Sequence, residues 1–340
     1  MIHVSLPAIP ETGTTLLGAM ELLGSVGVTW QQVVKGQPAD PLFDVSIVSE
    51  SGKSMTIPRR WSVEPHSAIA DVERTDVIFI PSLWMAPGET FAGRHGALKD
   101  WISRQYRQGA MVCAACTGVL LLADTGLLDG EKATTHWAYE DSMRRSYPRI
   151  DLQADKVMVE SGTDGRLVTS GSHATWYDVI LHVISRTCGR EAAMETAKFF
   201  LLQWHNDGQL PYRAFQDPVQ HGDAAIRECQ AWLRKNFTQP NPVEAVEKQS
   251  GLATRSFKRR FKDATGMTVI DYVQRLRVEQ AKGLLEGGDA SVDDIGWRVG
   301  YEDVAFFRRL FKRLTGLTPR EYRRKFQLPM AARPTDAVRR

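Results

Sequence analysis

The stretches Ser250-Gly-Leu-Ala-Thr-Arg-Ser-Phe-Lys-Arg-Arg-Phe-Lys-Asp-Ala-Thr-Gly266 and Gly300-Tyr-Glu-Asp-Val-Ala-Phe-Phe-Arg-Arg-Leu-Phe-Lys-Arg-Leu-Thr-Gly316 follow one pattern. Phe257 and Phe261 return as Phe307 and Phe311, and Thr265, Gly266 and Tyr272 return as Thr315, Gly316 and Tyr322, all at an offset of 50. Upstream, Val243 and Val246 return as Val292 and Ile295 at an offset of 49, so one residue is added in the second turn. Two copies are fewer than a solenoid needs. They fit a duplicated helical module.

Within each copy the pattern predicts a short helix, a turn built on glycine, and a second helix, the order of a helix-turn-helix. In the first copy the helix at 243–249 is broken by Ser250-Gly251, since glycine takes the positive φ of a tight turn. Thr254 is the expected N-cap of the next helix. Phe257 and Phe261 then share the core face, while Arg255, Lys258, Arg259 and Lys262 share the opposite one. In the second copy the first helix is expected at 292–299 and the turn at Gly300-Tyr301. The second helix there starts near Asp303 and carries Arg308, Arg309, Lys312 and Arg313 beside its aromatics. Between the copies, 268–286 predicts one helix of about 27 Å, which spaces two reading helices for successive major grooves about 34 Å apart.

Charge supports this reading. Residues 221–340 hold 24 Lys+Arg against 15 Asp+Glu, whereas residues 1–220 hold 19 against 25. A basic third on an acidic body is the footprint of a chain in which one domain meets a polyanion. The expected partner is double-stranded DNA.

These stretches resemble the DNA-binding domain of the AraC/XylS regulators, over residues 223–326. The second copy carries the family pattern at Gly300-Tyr301, Phe307, Arg309, Phe311-Lys312, Gly316, Thr318-Pro319 and Tyr322-Arg323. The resemblance implies base-reading positions at Arg255, Lys258 and Arg259 in the first copy and at Asp303, Val304, Ala305 and Arg309 in the second. Arg255, Lys258 and Arg259 can donate to guanine O6 and N7. Val304 and Ala305 cannot hydrogen-bond through their side chains. The second copy is therefore expected to contribute mainly phosphate contacts, through Arg308 and Lys312.

The first half alternates short apolar runs with amphipathic stretches. Strands are expected at 2–6, 43–48, 77–80, 111–115 and 167–169, and helices at 15–24, 98–108, 118–123, 137–147 and 175 to about 203. That alternation predicts an α/β domain of flavodoxin-like layering, a mainly parallel sheet covered on both faces, ahead of the all-α domain with its two helix-turn-helix motifs. The domain bounds read 1–205, a linker at 206–222, the helical domain at 223–326 and a flexible tail at 327–340. No basic-then-apolar leader opens the chain and no apolar run reaches the roughly 20 residues of a membrane helix, which predicts a cytoplasmic protein without membrane contact.

Met111-Val-Cys-Ala-Ala-Cys116-Thr-Gly118 runs from a strand straight into a helix. It places Cys116 at a sharp elbow, where the helix N-terminus is expected to favour thiolate. Cys113 and Cys116 form a lone Cys-x-x-Cys without the second half-site zinc wants, so neither metal nor cofactor is expected. With Asp76–Pro81, Ala123–Gly130 and Ala133-Thr-Thr-His136-Trp137, this run makes residues 1–205 resemble the class I glutamine amidotransferase-like superfamily, in the PfpI branch.

The resemblance makes Cys116 the candidate nucleophile and His136 its candidate base, with His173 as a second histidine and Glu11 as the acid. The sequence departs from the catalytic pattern: Thr117 stands where relatives often place histidine, and His173-Ala-Thr175 lacks the glutamate of a His-x-Glu pair. The reading is a retired active site used as an effector pocket, lined by Cys116, Thr117, His136, Trp84 and His173. The alternatives are a cysteine hydrolase or glyoxalase-like enzyme fused to a DNA-binding domain, and a redox sensor using Cys116. The resemblance further implies a small nitrogenous effector, a homodimer and RNA polymerase as partners.

Overall fold

The computed structural model describes residues 1–327 except Pro87 and Gln220, and the chain divides into two compact units, Met1–Gln209 and the part from Leu210 on. The expected tail lies outside the described residues, save Gln327.

The first unit is built on strands β1 (Ile2–Pro7), β2 (Phe43–Ser49), β3 (Met55–Ile57), β4 (Trp61–Val63), β5 (Ser67–Ala68), β6 (Val77–Ile80), β7 (Met111–Ala115), β8 (Lys132–Ala133), β9 (Asp151–Leu152), β10 (Met158–Ser161) and β11 (Leu167–Ser170). Its helices are α1 (Thr15–Gly24), α2 (Gly96–Arg107), α3 (Gly118–Asp124), α4 (Glu140–Ser146), α5 (Trp176–Cys188) and α6 (Arg190–Phe199). Seven strands form the main sheet in the order β10-β11-β7-β6-β1-β2-β5, parallel throughout except where β10 pairs antiparallel with β11.

Strand alternation explains why the central strands read as continuous apolar runs. Val77 and Phe79 of β6, with Met111, Cys113 and Ala115 of β7, enter one core together with α1, α5 and α6. Ile78 and Ile80, with Val112 and Ala114, enter a second core with α2 and α3. Both faces are buried, so neither register position tolerates a polar side chain. The single helix expected over 175–203 is instead two, because Gly189 takes φ +93° between α5 and α6 and breaks the hydrogen-bonded ladder there.

The second unit contains α7 (Ala224–Asn236), α8 (Pro242–Gln249), α9 (Thr254–Thr265), α10 (Val269–Gly287), α11 (Val292–Arg298), α12 (Val304–Thr315) and α13 (Pro319–Phe326). It has two apolar cores. One gathers Ile226, Leu233, Val246, Phe257, Phe261 and Tyr272. The other gathers Val278, Leu285, Ile295, Phe307, Phe311 and Tyr322. Helix α10 contributes to both, and the Thr268 hydroxyl caps its start by accepting from the Asp271 N–H at 3.1 Å.

Parts of the stretch read as a linker, 206–222, are packed. Gln209 is buried in the first unit. In the second, Asp217 accepts from Tyr272 Oη at 2.9 Å and from Gln230 Nε2 at 2.9 Å, and also pairs with Arg234. No helix among the described residues is long and apolar enough to cross a membrane.

Candidate functional site

In the first unit, β7 ends and α3 begins within three residues. Cys116 absorbs the change of direction at φ +56°, a left-handed conformation that costs a non-glycine residue energy. Gly118 makes the close packing possible: a Cβ there would lie 2.3 Å from the Pro81 carbonyl oxygen. The elbow is fixed by neighbours from distant segments. The Cys116 N–H donates to Ser170 O at 2.9 Å, and the Thr135 hydroxyl donates to Cys116 O at 2.8 Å. Thr117 Oγ1 accepts from the Leu83 N–H at 2.9 Å and donates to Leu83 O at 2.5 Å.

The polar groups around the elbow form a set. Ser82 Oγ lies 3.4 Å from Thr117 Oγ1 and 3.2 Å from His173 Nδ1. The Ser82 backbone N–H donates to Thr15 Oγ1 at 2.9 Å. His136 Nδ1 accepts from the Ala138 N–H at 3.1 Å, and its ring lies against Trp137 and Tyr139 at centroid distances of 5.2 and 6.2 Å. The Tyr139 hydroxyl donates to Met85 O at 2.8 Å. Gln209 seals the inner side. Its amide nitrogen donates towards Thr135 O and Lys156 O, both at 2.9 Å, and its oxygen accepts from the Trp137 N–H at 3.2 Å.

Protonation follows burial. Cys116 is only 5% exposed, and desolvation pushes its thiol up further than hydrogen bonds from Ser82 and Thr117 pull it back. The expectation of a thiolate is thereby corrected: burial pushes the thiol up rather than down. Burial first, then the nearby His173, push the His136 imidazole down. Burial, followed by the charges of Cys116 and Glu89, pushes the Tyr139 phenol up. At neutral pH this is a site of uncharged thiol, imidazole and phenol.

The structure thus gathers Cys116, Thr117, His136 and His173 in one region, and adds Ser82, Thr135, Tyr139 and Gln209, which no local motif marks. The hydrogen-bond partners of the thiol are Ser82 and Thr117 rather than His136. Glu11, the acid considered from sequence, is engaged by Arg94 at 2.9 Å and by His95 at 3.3 Å. Trp84 is 54% exposed and lies under the Arg59 guanidinium at 5.2 Å, so it is a surface residue rather than core. Cys113 is buried in the sheet core, and burial raises its thiol far above the usual range.

In the second unit, Gly251 makes the first turn at φ +65°. The N-cap of α9 falls on Ala253, not Thr254, because Ala253 keeps extended backbone while Thr254 is already helical; no side chain caps this end. Arg255, Lys258, Arg259 and Lys262 are all exposed along one side of α9, opposite the buried Phe257 and Phe261. None of the four is paired with a carboxylate among the described residues. The neighbouring Arg260 points elsewhere and holds Asp223 through two hydrogen bonds of 2.8 and 2.7 Å.

The second turn has Gly300 at φ +92°. Asp303 caps α12 by accepting from the Phe306 N–H at 2.9 Å. Ala305, Arg309 and Lys312 are exposed. Val304 packs against the core of this half, and Arg308 is paired with Asp293. Two aromatic side chains, Trp297 of α11 and Phe306 of α12, are exposed on this copy.

Residues 33–186 match the sequence profile of the DJ-1/PfpI family, and residues 247–325 match that of a helix-turn-helix domain. The chain is similar to the HTH-type transcriptional regulator CdhR of Pseudomonas aeruginosa, 24% identical over 326 residues that cover 95% of this chain and 94% of that protein. It is similar to the HTH-type transcriptional regulator GlxA of Rhizobium meliloti, 24% identical over 297 residues covering 84% and 86%. A shorter likeness, 36% identity over 110 residues covering 32% of this chain and 40% of the relative, links it to the HTH-type transcriptional activator RhaS of Salmonella schwarzengrund. The chain joins a DJ-1/PfpI domain to an AraC-type helix-turn-helix domain, and it is similar to HTH-type transcriptional regulators along most of its length.

Proposed function

We propose that this transcription regulator binds operator DNA in the cytoplasm through α9 and α12, and that the region around Cys116, His136 and His173 holds a small-molecule effector without transforming it. The observation that carries the DNA reading is the row of exposed cations on α9, set on a helix behind a glycine turn. The reading of a binding site without turnover is supported by a thiol that burial pushes up and that is hydrogen-bonded by Ser82 and Thr117. Nucleophilic catalysis needs a base in reach and an acid that orients it. Operator DNA, a small nitrogenous effector, a second copy of the chain and RNA polymerase are the partners this reading implies.

The test is a thermal-shift screen of the full chain against amino acids, amines and their methylated derivatives, with H136A and H173A beside wild type. An effector at a hundredfold excess over its Kd stabilises the protein by about 2.7 kcal/mol. A shift reduced in both variants supports the site. A shift equal in all three proteins moves the effector elsewhere. Turnover of any compound that is lost in C116A makes the first unit an enzyme and overturns the reading.

A further inference from the structure

The two halves of the DNA-binding unit have separate cores and share α10. Arg277 lies on that helix between Val273, which belongs to the first core, and Val278, which belongs to the second. A basic residue on a helix ordinarily reads as solvent-facing. Here the side chain is half-buried and its guanidinium reaches both halves. Nε donates to Phe237 O at 2.7 Å and Nη2 to Gln239 O at 3.1 Å, both in the turn that leads from α7 into the first helix-turn-helix. Nη1 donates to Gly300 O at 2.8 Å, in the turn of the second.

The same guanidinium lies 4.9 Å over the Tyr301 ring, and Tyr301 stacks on Phe307 of α12 at 5.6 Å. The two turns also touch directly. A Cβ on Gly300 would lie 2.6 Å from Thr238 O and 2.9 Å from the Arg277 guanidinium. The planar fork of arginine serves several carbonyls at once in a fixed geometry, which a lysine ammonium cannot reproduce.

We propose that Arg277 is a positioning residue for DNA recognition: it locks the two helix-turn-helix halves against each other and so fixes the spacing of the two half-sites they read. Two linked binding modules gain affinity when the link holds them at the span of their sites, and lose that gain when it does not. Inserting one base pair between half-sites moves them by about 3.4 Å and turns them by about 34°. A locked pair does not follow that change.

The experiment starts with full-length wild type and random duplex DNA, from which bound sequences are selected. Affinities are then measured for the selected duplex, for duplexes with one base pair inserted or removed between half-sites, and for a single half-site. Wild type is expected to lose at least about tenfold on either change of spacing. R277A is expected to bind the selected duplex about tenfold more weakly than wild type, to discriminate spacing by less than about threefold, and to bind the single half-site as wild type does. General destabilisation lowers every affinity together and does not flatten the spacing profile. R277K keeps the charge and stem, serves fewer carbonyls, and is expected to fall between the two; it decides the question if R277A does not fold. A spacing profile as steep as wild type in the folded variant overturns the proposal, as does a wild type that selects one half-site only.

Discussion

In the first helix-turn-helix, the rings of Phe257, Phe261 and Tyr272 follow one another at 5.8 and 5.4 Å; in the second, Phe307, Phe311 and Tyr322 do so at 5.9 and 5.4 Å. The Thr265 hydroxyl donates to Phe261 O at 2.6 Å and that of Thr315 to Phe311 O at 2.8 Å, and each helix ends at a left-handed glycine, Gly266 or Gly316. The outward faces do not match in this way. Helix α9 presents Arg255, Lys258, Arg259 and Lys262, all exposed. On α12 the positions at the offset of 50 are Ala305, Arg308, Arg309 and Lys312: Ala305 replaces one cation and Arg308 is paired with Asp293, while Asp303 caps the helix start and Val304 packs inward. Interior positions are constrained by close packing in both copies, whereas surface positions are constrained only by what they meet. A duplicated module therefore keeps its core and lets its reading faces diverge.

The largest expected effect tests the sameness of the interiors. Phe261 and Phe311 are both fully buried. F261A and F311A should each cost about 3–5 kcal/mol, from lost apolar burial and the cavity left behind. Urea unfolding of the full chain, followed by circular dichroism, measures both. Losses that differ by more than about 2 kcal/mol would mean that the two ring ladders are alike in geometry but not in packing.

The next effect tests the difference of the surfaces. R259A should remove about 1–3 kcal/mol of discrimination at one base pair, as loss of a bidentate guanine contact does. K312A should weaken binding to all sequences alike, with a shallower salt dependence, as loss of a phosphate contact does. Binding-site selection with each variant separates the outcomes. A change of selected sequence in K312A, equal to that in R259A, would erase the contrast between the reading faces.

Much of this comparison is legible in the sequence, and the illegible part has a physical pattern. The ring ladders show as repeats because aromatic residues at i,i+4 have few substitutes in a small core. Strands β6 and β7 show because both faces are buried, whereas the half-exposed edge strand β10 and the two-residue β5, β8 and β9 carry no such signature. The Cys116 elbow shows through its strand-to-helix turn and Gly118. Its partners do not, since Ser82 and Gln209 arrive from remote segments and are selected by geometry alone. The thiol's protonation is equally hidden, because a helix N-terminus is visible in sequence and desolvation is not. Charged residues are the least legible. Arg259, Arg260, Arg277 and Arg308 look alike as letters, and the structure gives them four roles: exposed cation, partner of Asp223, tie between turns and partner of Asp293.

The smallest expected effect concerns the helix starts, where Asp303 caps α12 and Ala253 leaves α9 without a side-chain cap. Ala253 has φ −61° and ψ 138°, and Asp303 has φ −85° and ψ 98°; both are extended, so a capping side chain fits either place. D303A should cost about 1 kcal/mol, and A253S should gain a similar amount by bonding an orphan N–H at the start of α9. A253D should stabilise α9 at least as well, since a negative charge also favours a helix N-terminus. Its effect on DNA should be the opposite. A carboxylate beside Arg255 would face the phosphates that an uncapped N-terminus can bind through its free N–H groups. Thermal melts paired with DNA affinities at two salt concentrations separate stability from binding. Raised stability with weakened DNA binding in A253D, but not in A253S, would explain why the more basic reading helix leaves its end open while the other closes its own with Asp303. Equal binding by both variants would mean that the start of α9 lies away from the phosphates, and that the contrast between the copies rests on their cations alone.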